Sequence, residues 1–224
     1  MAIAGPSCAG KTELSNALAQ KLGASVLVLD SYYHDLTALA PPERARVNFD
    51  SPDALDHELL IEQVKCLSRG ETIQRPVYGF ATHTRNPHGE AFAATSVLIV
   101  EGIFALYWPE LRQLFNTKIF VDSSDEVCLC RRKLRDVAER GRTPESVIAQ
   151  FQETVQPMAA RHVRPTSAYA DLVLSGEQPL SRSVERAIAH VCGNLPAEPI
   201  SRASAARKRG GSNSYSSEFH GRQR

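Results

Sequence analysis

Paired cysteines, long apolar runs and a strong net charge are all missing from this 224-residue chain. Its five cysteines (Cys8, Cys66, Cys128, Cys130 and Cys192) form no C-x-x-C pair and no zinc-like spacing with histidine, which excludes a disulfide scaffold and a finger-type metal site. Cys128 and Cys130 lie two apart on a predicted helix, so they point in different directions and cannot share a metal. Free thiols fit a reducing compartment, and a cytoplasmic location is expected. No stretch approaches the roughly 18 uninterrupted apolar residues of a membrane span. The opening MAIAGPSCAGK lacks the basic start and apolar run of a signal peptide. Glycine and proline, 13 each, are too few for a collagen-like chain, and 42% apolar with 23% charged residues is ordinary globular usage. The length fits one sizeable domain with its own core.

The net charge of +1 conceals an asymmetry. Residues 201–224 carry Arg202, Arg207, Lys208, Arg209, Arg222 and Arg224 against Glu218, a surplus of +5, which leaves −4 for residues 1–200. This stretch is also rich in Ser and Gly. We read residues 196–224 as a disordered basic tail with no specific nucleic-acid role, and residues 1–195 as the folded domain.

Within the folded part, short apolar runs alternate with helical patterns. Strands are expected at Met1–Ala4, Ser25–Leu29, Val97–Val100, Lys118–Val121 and Leu172–Leu174. Helices are expected at Lys11–Leu22, Asp53–Ser68, Asp125–Arg140, Pro144–Arg161 and Leu180–Cys192. Near-continuous apolar strands separated by helices predict an α/β fold with a parallel sheet covered on both faces. Residues 72–95 break the alternation. Thr72–Val77 and Ala91–Thr95 flank a turn-rich segment and read as a small β-hairpin insertion. Only four residues precede the first glycine turn, so the strand before it is expected to be unusually short, at a cost in stability.

That turn is Gly5-Pro6-Ser7-Cys8-Ala9-Gly10-Lys11-Thr12, a match to G-x-x-x-x-G-K-[ST]. Glycines let the backbone curl so that successive N–H groups cradle phosphates, the lysine reaches the β- and γ-phosphates, and the threonine hydroxyl binds Mg²⁺. The following helix adds its positive end. The context fits, with an apolar run before the motif and an amphipathic one after it.

Two strands end in acids, Leu27-Val28-Leu29-Asp30 and Val97-Leu98-Ile99-Val100-Glu101. Ligands of open α/β sheets bind beyond the carboxyl ends of the strands, so both acids face the phosphate site. One is needed to organise Mg²⁺ and the other is available as a base, and spacing does not assign them. Further along, Arg131, Arg132, Lys133, Arg135, Arg140 and Arg142 crowd twelve residues, with Asp136 and Glu139 as i,i+4 partners. Planar guanidiniums suit the charge of a transferring phosphoryl group, and Arg140-Gly141-Arg142 suggests an arginine-rich lid over 131–143.

Together, GPSCAGKT, LDSYYHDL, NFDSPDALD, RPVYGFATHTR, VLIVEGI, FVDSSDEVCLCRRKLRDVAERGR, QFQETVQPM and YADLVLSG resemble the uridine kinase (uridine–cytidine kinase) family of P-loop kinases, in the family's order from Gly5 to about Gly176. The resemblance implies a P-loop NTPase fold of the nucleoside-kinase type. It also implies ATP-dependent phosphorylation of the 5′-hydroxyl of uridine or cytidine, with Mg²⁺ as cofactor and a homo-oligomeric assembly. It makes Asp30 the base, with Lys11, Arg135 and Arg140 as its catalytic companions. Gly5 to Thr12 become the ATP site, and Thr12 and Glu101 the magnesium site. Asp50 becomes the carboxylate that holds the ribose hydroxyls, Tyr78 and His83 the readers of the pyrimidine edge, and Phe80 and Tyr33 the pocket walls. Arg132, Arg142 and Gln150 match substrate-side positions. The nearest rivals are a related kinase for phosphoribulose or pantothenate and a non-enzymatic nucleotide-binding homologue. A guanine-specific switch is disfavoured because Asn116-Thr117-Lys118-Ile119 lacks the aspartate of N-K-x-D.

Overall fold

A computed structural model of the protein describes residues 1–194; the basic-tail reading falls outside the described residues. In chain order the strands are β1 (Ala2–Ala4), β2 (Ser25–Val28), β3 (Ile73–Arg75), β4 (Tyr78–Gly79), β5 (Thr84–Arg85), β6 (Glu90–Phe92), β7 (Leu98–Glu101), β8 (Lys118–Asp122) and β9 (Leu172–Ser175). The main helices are α1 (Lys11–Leu22), α2 (His57–Ser68), α3 (Asp125–Arg140), α4 (Pro144–Gln150 and its continuation) and α5 (Leu180–Asn194).

Five strands form one parallel sheet in the order β2-β7-β1-β8-β9. Successive side chains of a strand point to opposite faces, and here each face meets its own core. Ala2, Ala4, Leu27, Val100 and Phe120 face one cluster, closed by Leu60, Val64 and Leu67 of α2 and by Phe104 and Leu106. Ile3, Ile99, Ile119, Val121 and Leu174 face the other, closed by Leu14 and Leu18 of α1 and by Val184 and Ala187 of α5. Full burial of each large apolar side chain stabilises by roughly 1.5–3 kcal/mol. The three-residue β1 lies in the middle of the sheet, fully buried, with ladders on both sides.

Several expected boundaries move. β2 ends at Val28, and Leu29–Tyr32 forms a tight helical turn, so Asp30 lies on that turn and not on a strand end. α2 starts at His57, capped by the Asp56 carboxylate accepting from the Leu59 N–H at 3.2 Å; Pro52–Ala54 is a separate short turn. The 72–95 insertion is not one hairpin. β3 pairs with β6, and inside that ladder β4 pairs with β5.

The helix expected at Pro144–Arg161 starts as read, with Thr143 Oγ1 accepting from the Ser146 N–H at 3.2 Å, but it is not a regular α-helix. Its turns widen at Phe151–Val155 and again at Ala159–Val163, where Gln156 N–H bonds Phe151 O and Arg164 N–H bonds Ala159 O, and it tightens at Arg164–Tyr169. Pro157 and Pro165 lack N–H donors, and a proline ring crowds the carbonyl four residues back; a wider turn relieves both. Phe151, Val155, Ala159 and Val163, four apart, are all buried. Among the described residues no helix is long and apolar enough to cross a membrane. Cys128 is buried and Cys130 exposed, in keeping with two side chains that point in different directions.

Candidate active site

The chain leaves β1 at Ala4 and turns at Gly5, whose φ is 144° and whose Cβ, had it one, would lie 2.0 Å from Val121 O. No other residue fits, and the loop is pinned against β8. Ala9 N–H closes back on Pro6 O at 3.2 Å. Pro6 removes one donor from the cradle, yet its carbonyl accepts the Lys11 Nζ at 2.8 Å, which curls the buried lysine over the loop. Arg131 ties the loop to the end of β9, donating to Gly176 O at 2.8 Å and Cys8 O at 3.3 Å. Thr12 Oγ1 donates to Glu101 Oε1 at 3.2 Å; parallel pairing of β1 with β7 sets Ile3 level with Glu101 and so brings that carboxylate beside the loop.

Two cavities open over the carboxyl ends of the strands. One, of about 740 Å³, is lined by Gly10, Lys11, Thr12, Glu101 and Arg131, and by Gln178, Leu180 and Ser183, which sequence reasoning missed. The other, of about 480 Å³, is lined by Tyr33, Phe49, Asp50, Tyr78, Phe80, His83, Arg132, Arg140, Arg142 and Gln150. Ser7, Asp30, Ile103, Arg135 and Glu139 line both. Gly5, Pro6 and Ala9 line neither and form the back of the loop. The other candidate catalytic, binding and metal residues are therefore gathered around two joined cavities, with Asp30 and Arg135 at the junction.

The electrostatics divide in the same way. Loss of hydration raises the pKa of Asp30, opposed most strongly by Lys11 and then by Arg140, Arg135 and Arg132. Burial raises Glu101 as well, against Lys11 and the Thr12 hydrogen bond. Burial also raises Asp50, against Arg132, with the neighbouring Asp30 adding to the rise. Three carboxylates thus share one basic field, with no direct ion pair to it among the described residues.

The second cavity is aromatic. Tyr33 meets Phe49 edge-on at 5.3 Å and Tyr78 at 5.4 Å, and Phe49 stacks on His83 at 4.6 Å. Phe80 packs edge-on to Tyr78 at 5.3 Å and is half-exposed. Tyr33 Oη is spent on Phe49 O at 3.2 Å, whereas the buried Tyr78 hydroxyl has no partner among the described residues. His83 adopts a left-handed φ of 56°, and burial, helped by Arg142 and Arg140, lowers its pKa, so the imidazole is neutral near pH 7.

Sequence reasoning also missed Arg85 and Phe49. Arg85 donates to Tyr33 O and Tyr32 O, both at 2.7 Å, and to Asp56 Oδ2 at 3.0 Å, locking the β4–β5 ladder to the turn that carries Asp30. Arg85 ends the THTR stretch, where nothing local marks it as a bridge across about fifty residues. On the arginine-rich segment, Arg132 donates to Ser7 Oγ at 3.0 Å and to Gln150 Oε1 at 3.1 Å, and Arg142 also bonds Gln150.

Compared with known proteins, residues 1–178 match the family model described as the phosphoribulokinase / uridine kinase family. The chain is 44% identical over 177 residues to the uridine kinase of Chloroflexus aggregans, covering 78% of this chain and 85% of that one. It is 40% identical over 200 residues to the uridine kinase of Chloroflexus aurantiacus, covering 88% and 96%. Among solved structures, the phosphoribulokinase from Rhodobacter spheroides superposes with a TM-score of 0.54 at 15% identity, covering 80% of this chain and 72% of that one, a likeness of fold alone.

Proposed function

The chain belongs to the phosphoribulokinase / uridine kinase family, and on that premise we propose that it transfers the terminal phosphoryl group of ATP to the 5′-hydroxyl of uridine or cytidine, giving UMP or CMP. The observation that carries this reading is the meeting of a phosphate-loop cavity and an aromatic, carboxylate-bearing cavity at Asp30 and Arg135. A donor bound by the loop and an acceptor bound among the aromatics would meet where those two side chains are.

The chemistry follows from the groups at hand. Asp30 accepts the proton of the attacking 5′-hydroxyl as the oxygen approaches phosphorus in line. Its raised pKa makes it a better proton acceptor than an exposed aspartate, and Lys11 opposes the rise. Lys11 turns from Pro6 O to the β,γ-phosphates. Arg135, at the junction, and Arg140 balance the charge that moves onto the bridging oxygen. Thr12 and Glu101 supply two hard oxygens facing the donor cavity, a set that fits Mg²⁺ and would hold it. When bound, that ion neutralises phosphate charge.

On the acceptor side, Asp50 takes two hydrogen bonds from the ribose cis-diol. Phe49, Tyr33 and Phe80 bracket a flat base. The orphaned Tyr78 hydroxyl and the neutral His83 each both donate and accept, which suits the edges of uracil and cytosine alike. Arg132, Arg142 and Gln150 form the polar wall opposite.

The test is purified protein with Mg–ATP and a panel of uridine, cytidine, 2′-deoxyuridine, adenosine, ribulose 5-phosphate and pantothenate. Phosphorylation of uridine or cytidine with weak use of the deoxynucleoside is expected. Preference for the sugar phosphate or pantothenate would replace the acceptor while leaving the donor half intact.

A further inference from the structure

Within the arginine-rich segment, Asp136 on α3 is the fully buried acid. Four guanidiniums converge on its carboxylate. Arg135 binds Oδ1 through Nε at 2.9 Å and Nη2 at 2.8 Å, and Arg140 Nη1 lies 3.6 Å from the same oxygen. Arg142 Nη1 bonds Oδ2 at 3.3 Å, and Arg132 Nε lies 3.5 Å from it, too far off line for a hydrogen bond. The main chain of Asp136 is engaged as well. Its carbonyl accepts the N–H of Gly141, which ends α3 at a left-handed φ of 62°, and the N–H of Arg142 at 3.2 Å. One residue therefore sets both the turn that returns the chain and the fan of cations that the turn delivers.

Four positive charges on one carboxylate leave a surplus of three. All four arginines line the acceptor cavity, and Arg135 reaches the donor cavity as well. A fixed anion holds Arg135 and Arg140 close to Asp30, on whose carboxyl both act, after Lys11 and ahead of Arg132. Such groups need no rearrangement when negative charge develops in front of them.

We propose that Asp136 is the positioning residue of the phosphoryl-transfer site, a buried counter-anion that orients Arg135 and Arg140 toward the phosphates, while Arg132 and Arg142 are fastened to Gln150 on the acceptor wall. The part concerning turnover rests on the proposed kinase reaction; the part concerning donor binding does not. Electrostatics and positioning make opposite predictions for Asp136→Asn. By Coulomb's law alone, removing a negative charge behind a phosphate site tightens ATP binding. If the carboxylate's work is geometric, the freed guanidiniums repel one another, turn away, and ATP binds more weakly.

The experiment measures Mg–ATP affinity by calorimetry, and uridine turnover, in the wild-type protein, Asp136→Asn and Asp136→Glu, with melting temperatures alongside. The expected result for Asp136→Asn is a roughly tenfold loss of ATP affinity and a kcat lower by about a hundredfold. Affinity equal to or tighter than wild type overturns the proposal. If Asp136→Asn does not fold, Asp136→Glu decides in its place. It keeps the charge but displaces it by one methylene, so weakened ATP binding at an unchanged melting temperature supports positioning, and wild-type affinity overturns it. A wild-type protein that ignores every nucleoside would sink the proposed substrate, and the ATP arm would still decide the role of Asp136.

Discussion

The donor cavity is shaped largely by main chain, whereas the acceptor cavity is built from side chains. On the donor side, eight consecutive residues make the loop, Gly5 presses it onto β8, and Arg131 fastens it through two carbonyls. On the acceptor side, Asp30, Phe49, Asp50, Tyr78, His83, Arg132 and Gln150 arrive from separate stretches of chain and hold one another by ring contacts and guanidinium bonds. A loop made of backbone can change its side chains and still bind a polyphosphate. A pocket made of side chains loses its ligand one substitution at a time. The donor half should therefore yield only to changes of charge or conformation, and the acceptor half to the loss of a single functional group.

The largest effect is expected at the junction. Asp30→Asn should lower kcat by about a thousandfold or more while ATP still binds, as read by single-turnover kinetics and calorimetry. The same change should raise the melting temperature. A carboxylate whose pKa is raised by folding binds protons more tightly in the native state, so it costs stability as pH climbs from its unfolded pKa through its folded one. Lower activity with higher stability would identify Asp30 as strained for function; lower activity with lower stability would make it an ordinary structural acid.

Next comes Lys11→Met, expected to cost about a hundredfold or more in kcat and to weaken ATP without altering uridine binding measured alone. An equal loss on both sides would erase the division between the halves. On the acceptor side, 2′-deoxyuridine should be used about 10–100-fold less well than uridine in kcat/KM, and Asp50→Asn should abolish that discrimination. The smallest effect is expected for Tyr78→Phe. Its unpartnered buried hydroxyl makes the substitution neutral or stabilising to heat, and the uridine KM should rise about tenfold or less. Across the series, the acid limb of kcat/KM should lie above the ordinary carboxylate range, because Asp30, Asp50 and Glu101 are all raised. In Asp50→Asn the limb should move toward lower pH as one like charge is removed from beside Asp30.

The same division explains what could be read from the sequence. The phosphate loop, the covered parallel sheet and Glu101 at the end of β7 are local or periodic features, and they appear where expected. Asp30 was legible as a strand-end acid, although the strand stops at Val28 and a helical turn presents the side chain. Tyr78 and His83 carried no physical signal of their own and were reached through family resemblance. Phe49 and Arg85 were missed because their roles exist only after residues about 30 and 50 positions apart have met. Gln178, Leu180 and Ser183 were missed because their segment has no charge pattern or periodicity pointing at the donor. Asp136 looked like an i,i+4 partner on a solvated helix face; its complete burial among four arginines comes from α3 packing against the loop and α4.

The alternating wide turns of α4 have a mechanical consequence. An ideal α-helix has 3.6 residues per turn, so a four-residue repeat would wander around its surface. Widening at Phe151–Val155 and Ala159–Val163 slows that wandering and keeps Phe151, Val155, Ala159 and Val163 in a single spine. The first two of these are anchored in the core beside α1, the last two in the core beside α2. This rod splices the two halves of the protein's interior, and Gln150, clasped by Arg132 and Arg142, lies where its wide turns begin.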